Sequence, residues 1–184
     1  MTLLDLDLWD RPVDAHDEAL LDLCLGPTID VGCGPGRLAA GLAERGQVAL
    51  GIDIIGSAVG TAVRRGASAL CRDVFDTLPG EGRWRTALLA DGNIGIGGDP
   101  ASLLRRLRDL VARDGRVVAE LAPPGTPLDS GWATLRYGGD NTATQFRWSV
   151  VGVDDVDRIA TTAGLLVGDV LELGDRWCAV LERA

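Results

Sequence analysis

Lysine is absent from the sequence: all 18 basic residues are arginine, scattered along the chain rather than gathered into a stripe, which reads as coding bias. Positive charge is also outweighed, since 27 carboxylates leave a net charge of −9. Nucleic-acid affinity rests on neutralising phosphates with a basic surface, so DNA, RNA and anionic membranes are not expected partners. Histidine occurs once, and the four cysteines (Cys24, Cys33, Cys71 and Cys178) lie far apart with no C-x-x-C pair, so no metal site is expected. The amino terminus is acidic and lacks the basic and long apolar stretches of an export signal, and no apolar run is long enough to span a bilayer. The expectation is a cytoplasmic protein with reduced thiols, a monomer or homodimer.

What is present is the composition of a folded chain: 46% hydrophobic and 24% charged residues over 184 positions. That length suits one domain, residues 1–184, and is short for two with separate machinery.

The pattern alternates strands and helices. Residues 14–24 predict an opening helix with an Asp14 cap and Ala19, Leu20, Leu23 and Cys24 on one face. A strand over 27–31, a glycine loop and a helix over about 36–45 follow. Then come a strand at Val48–Asp53, a helix at Gly56–Arg65, a weaker strand at Ala67–Arg72 and a strand at Trp84–Ala90. Asp99-Pro100 opens a helix predicted to run to about Arg113, and Gly115–Leu121 reads as a further strand. After a helix at Val153–Ala163, the strands Leu165–Leu173 and Arg176–Leu181 are separated only by Gly174-Asp175, which requires an antiparallel pair. The fold class expected is α/β: a single doubly wound seven-stranded sheet, mostly parallel with a carboxy-terminal antiparallel strand, helices on both faces. Residues 131–150 interrupt this order and read as an inserted hairpin around Gly138–Asn141, near the substrate pocket.

The segment Thr28-Ile29-Asp30-Val31-Gly32-Cys33-Gly34-Pro35-Gly36 joins a strand to a helix, and its glycines let the main chain turn sharply and approach a ligand. A dinucleotide fingerprint needs G-x-G-x-x-G, but the sixth position counted from Gly32 is Arg37. Gly32, Gly34 and Gly36 form G-x-G-x-G instead. An acid and a hydrophobic residue followed by G-x-G-x-G resembles the first motif of class I, Rossmann-like, S-adenosylmethionine-dependent methyltransferases, and the closing hairpin resembles theirs.

The resemblance implies S-adenosyl-L-methionine as cofactor and S-adenosyl-L-homocysteine as product, with transfer of the methyl group to a small-molecule acceptor, in specialised metabolism by analogy. It implies that Asp30, Gly32, Cys33, Gly34 and Gly36 hold the methionine end. Asp53, closing the second strand, would accept both ribose hydroxyls. Ile54 would pack on the adenine, Asp73 would meet its amino group and the Val74 N–H its ring, while Asp91 would hold the methionine portion and begin the substrate pocket. The family's N-P-P-Y-type tetrapeptide is missing after Ala90, which disfavours nucleobase or amide nitrogens as acceptors.

Methyl transfer from a sulfonium needs alignment more than acid–base machinery; where a base is used, the candidates are Asp91, His16 and Tyr137, in that order. His16 also fits a packed structural role four residues before Leu20, and Cys33 fits the loop as a small residue. Asp53 and Asp73 also fit as strand-end caps, and Asp30 as a brace of the loop. Trp132, Tyr137, Phe146 and Trp148, with Arg136 and Arg147, suit a flat or carboxylated substrate or ordinary cross-strand packing. Asn93, in the glycine-rich run 92–98, suits an acceptor hydroxyl or a flexible connector. The rival functions are a non-catalytic S-adenosylmethionine-binding protein and, from another enzyme class, a nicotinamide-dependent oxidoreductase.

Overall fold

Short apolar runs become interior strands because both of their faces are covered by helices. The computed structural model describes residues 2–5, 9–136 and 144–184, and the side chains of residues 9–134 and 145–184. In chain order the elements are β1 Thr2–Asp5, α1 Ala15–Asp22, β2 Thr28–Val31, α2 Arg37–Glu44, β3 Ala49–Asp53, α3 Gly56–Arg64, β4 Ala69–Cys71 and β5 Trp84–Leu89. There follow α4 Pro100–Leu110, β6 Val111–Leu121, β7 Asp129–Arg136, β8 Thr144–Val150, α5 Val153–Thr162, β9 Leu165–Leu173 and β10 Arg176–Arg183.

Seven strands form one sheet in the order β4-β3-β2-β5-β6-β10-β9, parallel except for β10, which runs antiparallel to both β6 and β9. The expected fold class is therefore observed. Alternation along the strands divides the core. Ala87, Leu89, Val117 and Ala119 face one side with Leu103, Leu104 and Leu107 of α4 and Val156 and Ile159 of α5. Leu88, Ala90, Val118 and Cys178 face the other with Leu20 and Leu21 of α1 and Leu38 and Leu42 of α2.

Three sequence expectations are corrected. The helix begun at Pro100 ends at Leu110 rather than Arg113: the Leu110 carbonyl accepts from Gly82 N–H (2.8 Å), and Val111 already pairs with Trp84. Residues between Val111 and Arg116 are absorbed by a register shift. In α1 the Asp14 cap is present, but the buried positions are Asp17, Leu20, Leu21 and Cys24, while Ala19 and Leu23 are only half-buried. His16 therefore does not pack inward; it is exposed, with Nδ1 3.5 Å from an Asp175 carboxylate oxygen. Finally, β7 and β8 form the expected antiparallel pair, but β1 joins them parallel to β7 as a third strand, a pairing across some 130 residues that no local pattern announces. No helix among the described residues is long and apolar enough to cross a membrane.

Gly36 shows how closely the layers approach. It has φ +81°, and a Cβ there would stand 2.7 Å from Ala62 Cα, where α3 crosses the start of α2. Gly46 has a similar φ of +74° with no atom within 4 Å. Gly36→Ala is expected to lower the unfolding free energy in urea by about 2–5 kcal/mol, the left-handed backbone and overpacking together, and Gly46→Ala by about 1–2 kcal/mol from backbone alone. Equal losses would remove the α2–α3 contact as the reason for this glycine.

Candidate functional site

The carboxyl ends of β2, β3, β4 and β5 open together onto a cavity of about 260 Å³. Ligands of open α/β sheets bind at such ends. Its floor is the β2–α2 loop, with Asp30, Gly32, Cys33 and Gly34; one wall is Asp53 and Ile54, another Asp73, Val74 and Phe75. Asp91 and Asn93 close the far end, and Phe146, Arg147 and Trp148 of β8 and Trp9 cover it.

Asp53 ties this floor together. Its Oδ2 accepts the Gly34 N–H (2.9 Å) and its Oδ1 the Ile55 N–H (2.8 Å), so one carboxylate fixes both the glycine loop and the turn into α3. Burial nevertheless pushes its carboxyl above the ordinary value. Asp73 is exposed and accepts the Phe75 N–H (3.0 Å), the turn-capping geometry of its residue type. Cys33 is buried against Gly51, and burial pushes its thiol well up, so it packs as a small apolar group.

Asp30 is different. It is fully buried at the cavity edge, and its Oδ2 has no hydrogen-bond partner. Burial and the nearby Asp91 charge push its carboxyl up to about 7, against the pull of Arg37.

Beneath Asp91 lies an ion network that the sequence reading missed. The Arg37 guanidinium, 3% exposed, bonds Asp17 Oδ1 and Asp91 Oδ2 (2.6 Å). Arg176 reaches Asp17 at 3.0 Å and Asp91 at 3.3 Å, while Arg11 holds the other Asp17 oxygen at 2.7 Å. Desolvation opposes ionisation of Asp17, but the Arg37 and Arg11 bonds prevail and hold its carboxyl at about 2. Asp91 has φ +52°, and its N–H donates to Glu120 Oε2 (2.8 Å). The available signal was Asp17 on the buried stripe of α1, three residues before Leu20.

Of the residues singled out in the sequence, several stand elsewhere. Gly36 borders α3 rather than the cavity. His16 is on the surface beside Asp175, and Trp132 is exposed, its ring 5.4 Å from the Arg147 guanidinium carbon, outside the lining. Tyr137 lies outside the described residues. Asn93 does line the cavity, but its amide N–H groups donate to the Val31 and Gly32 carbonyls (both 3.0 Å), so that half of the side chain braces the loop. The run 92–98 is no slack connector. At Gly95 a Cβ would lie 1.9 Å from the Ser149 carbonyl oxygen, so this main chain is pressed against β8.

Asp30 generates a stability prediction. With a folded value near 7 and an ordinary value near 3.8, folding holds a proton that the unfolded chain releases, so stability falls as pH rises from about 4 through 7. Asp30→Asn is expected to be more stable than wild type at pH 8 by about 2–4 kcal/mol, the gain vanishing toward pH 4. Urea unfolding across that range checks it; a pH-independent difference would refute the buried titration.

No protein-family model matches the chain, and no curated protein matches it in sequence. Solved structures do. A SAM-dependent methyltransferase from Bacteroides fragilis, in complex with S-adenosyl-L-homocysteine, superposes with TM-score 0.77 at 21% identity, covering 95% of this chain and 78% of that one. The CcbJ methyltransferase from Streptomyces caelestis gives 0.73 at 15% identity, covering 97% and 96%. A Burkholderia thailandensis 1,6-didemethyltoxoflavin-N1-methyltransferase, with its acceptor and S-adenosylhomocysteine bound, gives 0.67 at 17% identity, covering 96% and 80%. The chain has the fold of class I S-adenosylmethionine-dependent methyltransferases.

Proposed function

We propose that the protein is an S-adenosylmethionine-dependent methyltransferase that acts on a small-molecule acceptor. The observation that carries this reading is the arrangement of Asp30, Gly34 and Asp53 along one cavity: a bare main-chain loop with a carboxylate at the end of each of the two strands beside it. The residues fit the cofactor. The orphaned Asp30 Oδ2 is an acceptor awaiting a donor, and an ammonium such as that of a methionyl group supplies one. Asp53 retains lone pairs beyond its two main-chain bonds for ribose hydroxyls. Ile54 and Phe75, both exposed at the mouth, offer apolar faces to a purine, and the Val74 N–H and Asp73 stand beside them. Asp91, tied to two arginines, suits the methionine end better than a free base.

When bound, this cofactor would supply an electrophilic methyl group on a sulfonium, with the thioether as the leaving group on the side opposite the acceptor. The work left to the chain is alignment and exclusion of water. Trp9, Phe146 and Trp148 wall the cavity with apolar surface, which suits a small, flat acceptor. A cavity of about 260 Å³ and a net charge of −9 favour such a molecule over a nucleic acid or other polyanion.

Calorimetric titration should show S-adenosylmethionine and S-adenosylhomocysteine binding and no binding of NADH; the reverse would overturn the reading. Asp53→Ala is expected to weaken S-adenosylmethionine binding by about 1.5–3 kcal/mol, through lost charge-assisted hydrogen bonds and a freed Gly34 N–H. Unchanged affinity in that variant would remove Asp53 from the site.

A further inference from the structure

A second, smaller space of about 160 Å³ lies behind Trp148, lined by Gly92, Ile94, Glu120, Leu121 and Val151. It adjoins the larger cavity: Trp148 walls both, and the adjacent residues Asp91 and Gly92 floor one each. The Trp148 ring sits 3.7 Å from where a Gly92 Cβ would stand.

Glu120 is the only charged group lining this space among the described residues. It comes from the carboxyl end of β6, on the face shared with Val118 rather than with α4. Its Oε2 is used by the Asp91 N–H at 2.8 Å. Among the described residues, the nearest cation to Oε1 is its ion-pair partner Arg176, whose Nε stands at 3.7 Å, beyond hydrogen-bond reach. The two terminal nitrogens of Arg176 bond Asp17 and Asp91, which leaves its Nε as the ion-pair partner of Glu120. Burial accordingly pushes the Glu120 carboxyl up, with Arg176 compensating only in part. A carboxylate with one oxygen hydrogen-bonded and the other only ion-paired, beside aliphatic side chains and the Trp148 ring, can take a further cation with several N–H donors. The remaining walls are apolar apart from Ser149, whose hydroxyl is shared with Ser130 at 2.7 Å.

We propose that this smaller space is a subsite for a protonated amine carried by the acceptor, with the Glu120 carboxylate as counter-charge and the Trp148 ring as one wall. The proposal rests on the methyl-transfer reading above and deepens it: the acceptor is anchored behind Trp148 by its ammonium group and presents its nucleophile to the larger cavity. A hydroxyl in the same place would give one hydrogen bond and add no charge to that of Arg176, and a carboxylate would be repelled. Arg147, the residue before Trp148 in β8, holds its guanidinium over the Trp132 ring and lines the larger cavity, not this space. The net charge of −9 further raises the local concentration of cations.

The test uses the full chain saturated with S-adenosylhomocysteine and three probes of one shape: benzylamine, benzyl alcohol and benzoate. Calorimetry or equilibrium dialysis should show benzylamine binding at least about tenfold more tightly than either of the others. Glu120→Gln keeps an acceptor for the Asp91 N–H, and it should erase that preference; the comparison is made at saturating S-adenosylhomocysteine, so a change in cofactor affinity transmitted through Asp91 leaves the readout intact. An unchanged benzylamine preference in Glu120→Gln overturns the proposal. Should that variant fail to fold, the wild-type series decides: equal binding of benzyl alcohol, tighter binding of benzoate, or no saturable benzylamine binding overturns it. S-adenosylhomocysteine binding is measured first; its absence in wild type refutes the methyl-transfer reading, whereas its presence without an amine preference refutes the subsite alone.

Discussion

The buried pairing of Arg37 with Asp17 and Asp91 is the constraint on which the site depends. It joins α1, the start of α2 and the loop after β5, and Arg176 extends it to β10. Removing one partner of such a pair leaves an uncompensated charge in a dry interior, so the elements are held to one mutual arrangement. The left-handed Asp91 backbone is a local consequence: two arginines grip its side chain and Glu120 grips its N–H. Where Asp91 goes, both cavities follow.

A second constraint acts through main-chain contact. The turn after β5 packs so closely on β8 that Gly95 has no room for a Cβ against Ser149, and Ile96 pairs with Trp148. Ala122, just past β6, exchanges hydrogen bonds with Val151 and Val153, stitching the small sheet to the carboxyl edge of the large one. The roof of the site is thus fastened at two points by main chain, and Phe146, Arg147 and Trp148 are delivered over the cavity by strand geometry.

Most of the large sheet was legible because its signals are local. Continuous apolar runs placed β3 and β5 within a residue or so of their observed limits, and two residues between β9 and β10 forced their antiparallel pairing. The glycine loop was legible too, though its glycines serve unlike purposes: a Cβ at Gly32 would strike Asn93, and at Gly36 Ala62. Those reasons lie in neighbours that the loop meets only after folding. His16 lies outside the buried stripe of α1, which runs through Asp17, a polar residue that hydrophobic patterning passes over.

The sequence by itself determined the kinds and order of the elements of the large sheet and the position of a bare loop between β2 and α2, since periodicity, punctuation and backbone freedom act over a few residues. Only tertiary structure decided which charges meet. Asp17 and Arg176, 159 residues apart, find each other because α1 packs on the sheet face that Cys178 of β10 shares. The same holds for β1 beside β7, a main-chain pairing, and for Glu120 beside Trp148: each depends on which elements the fold brings together, over separations that no local pattern spans.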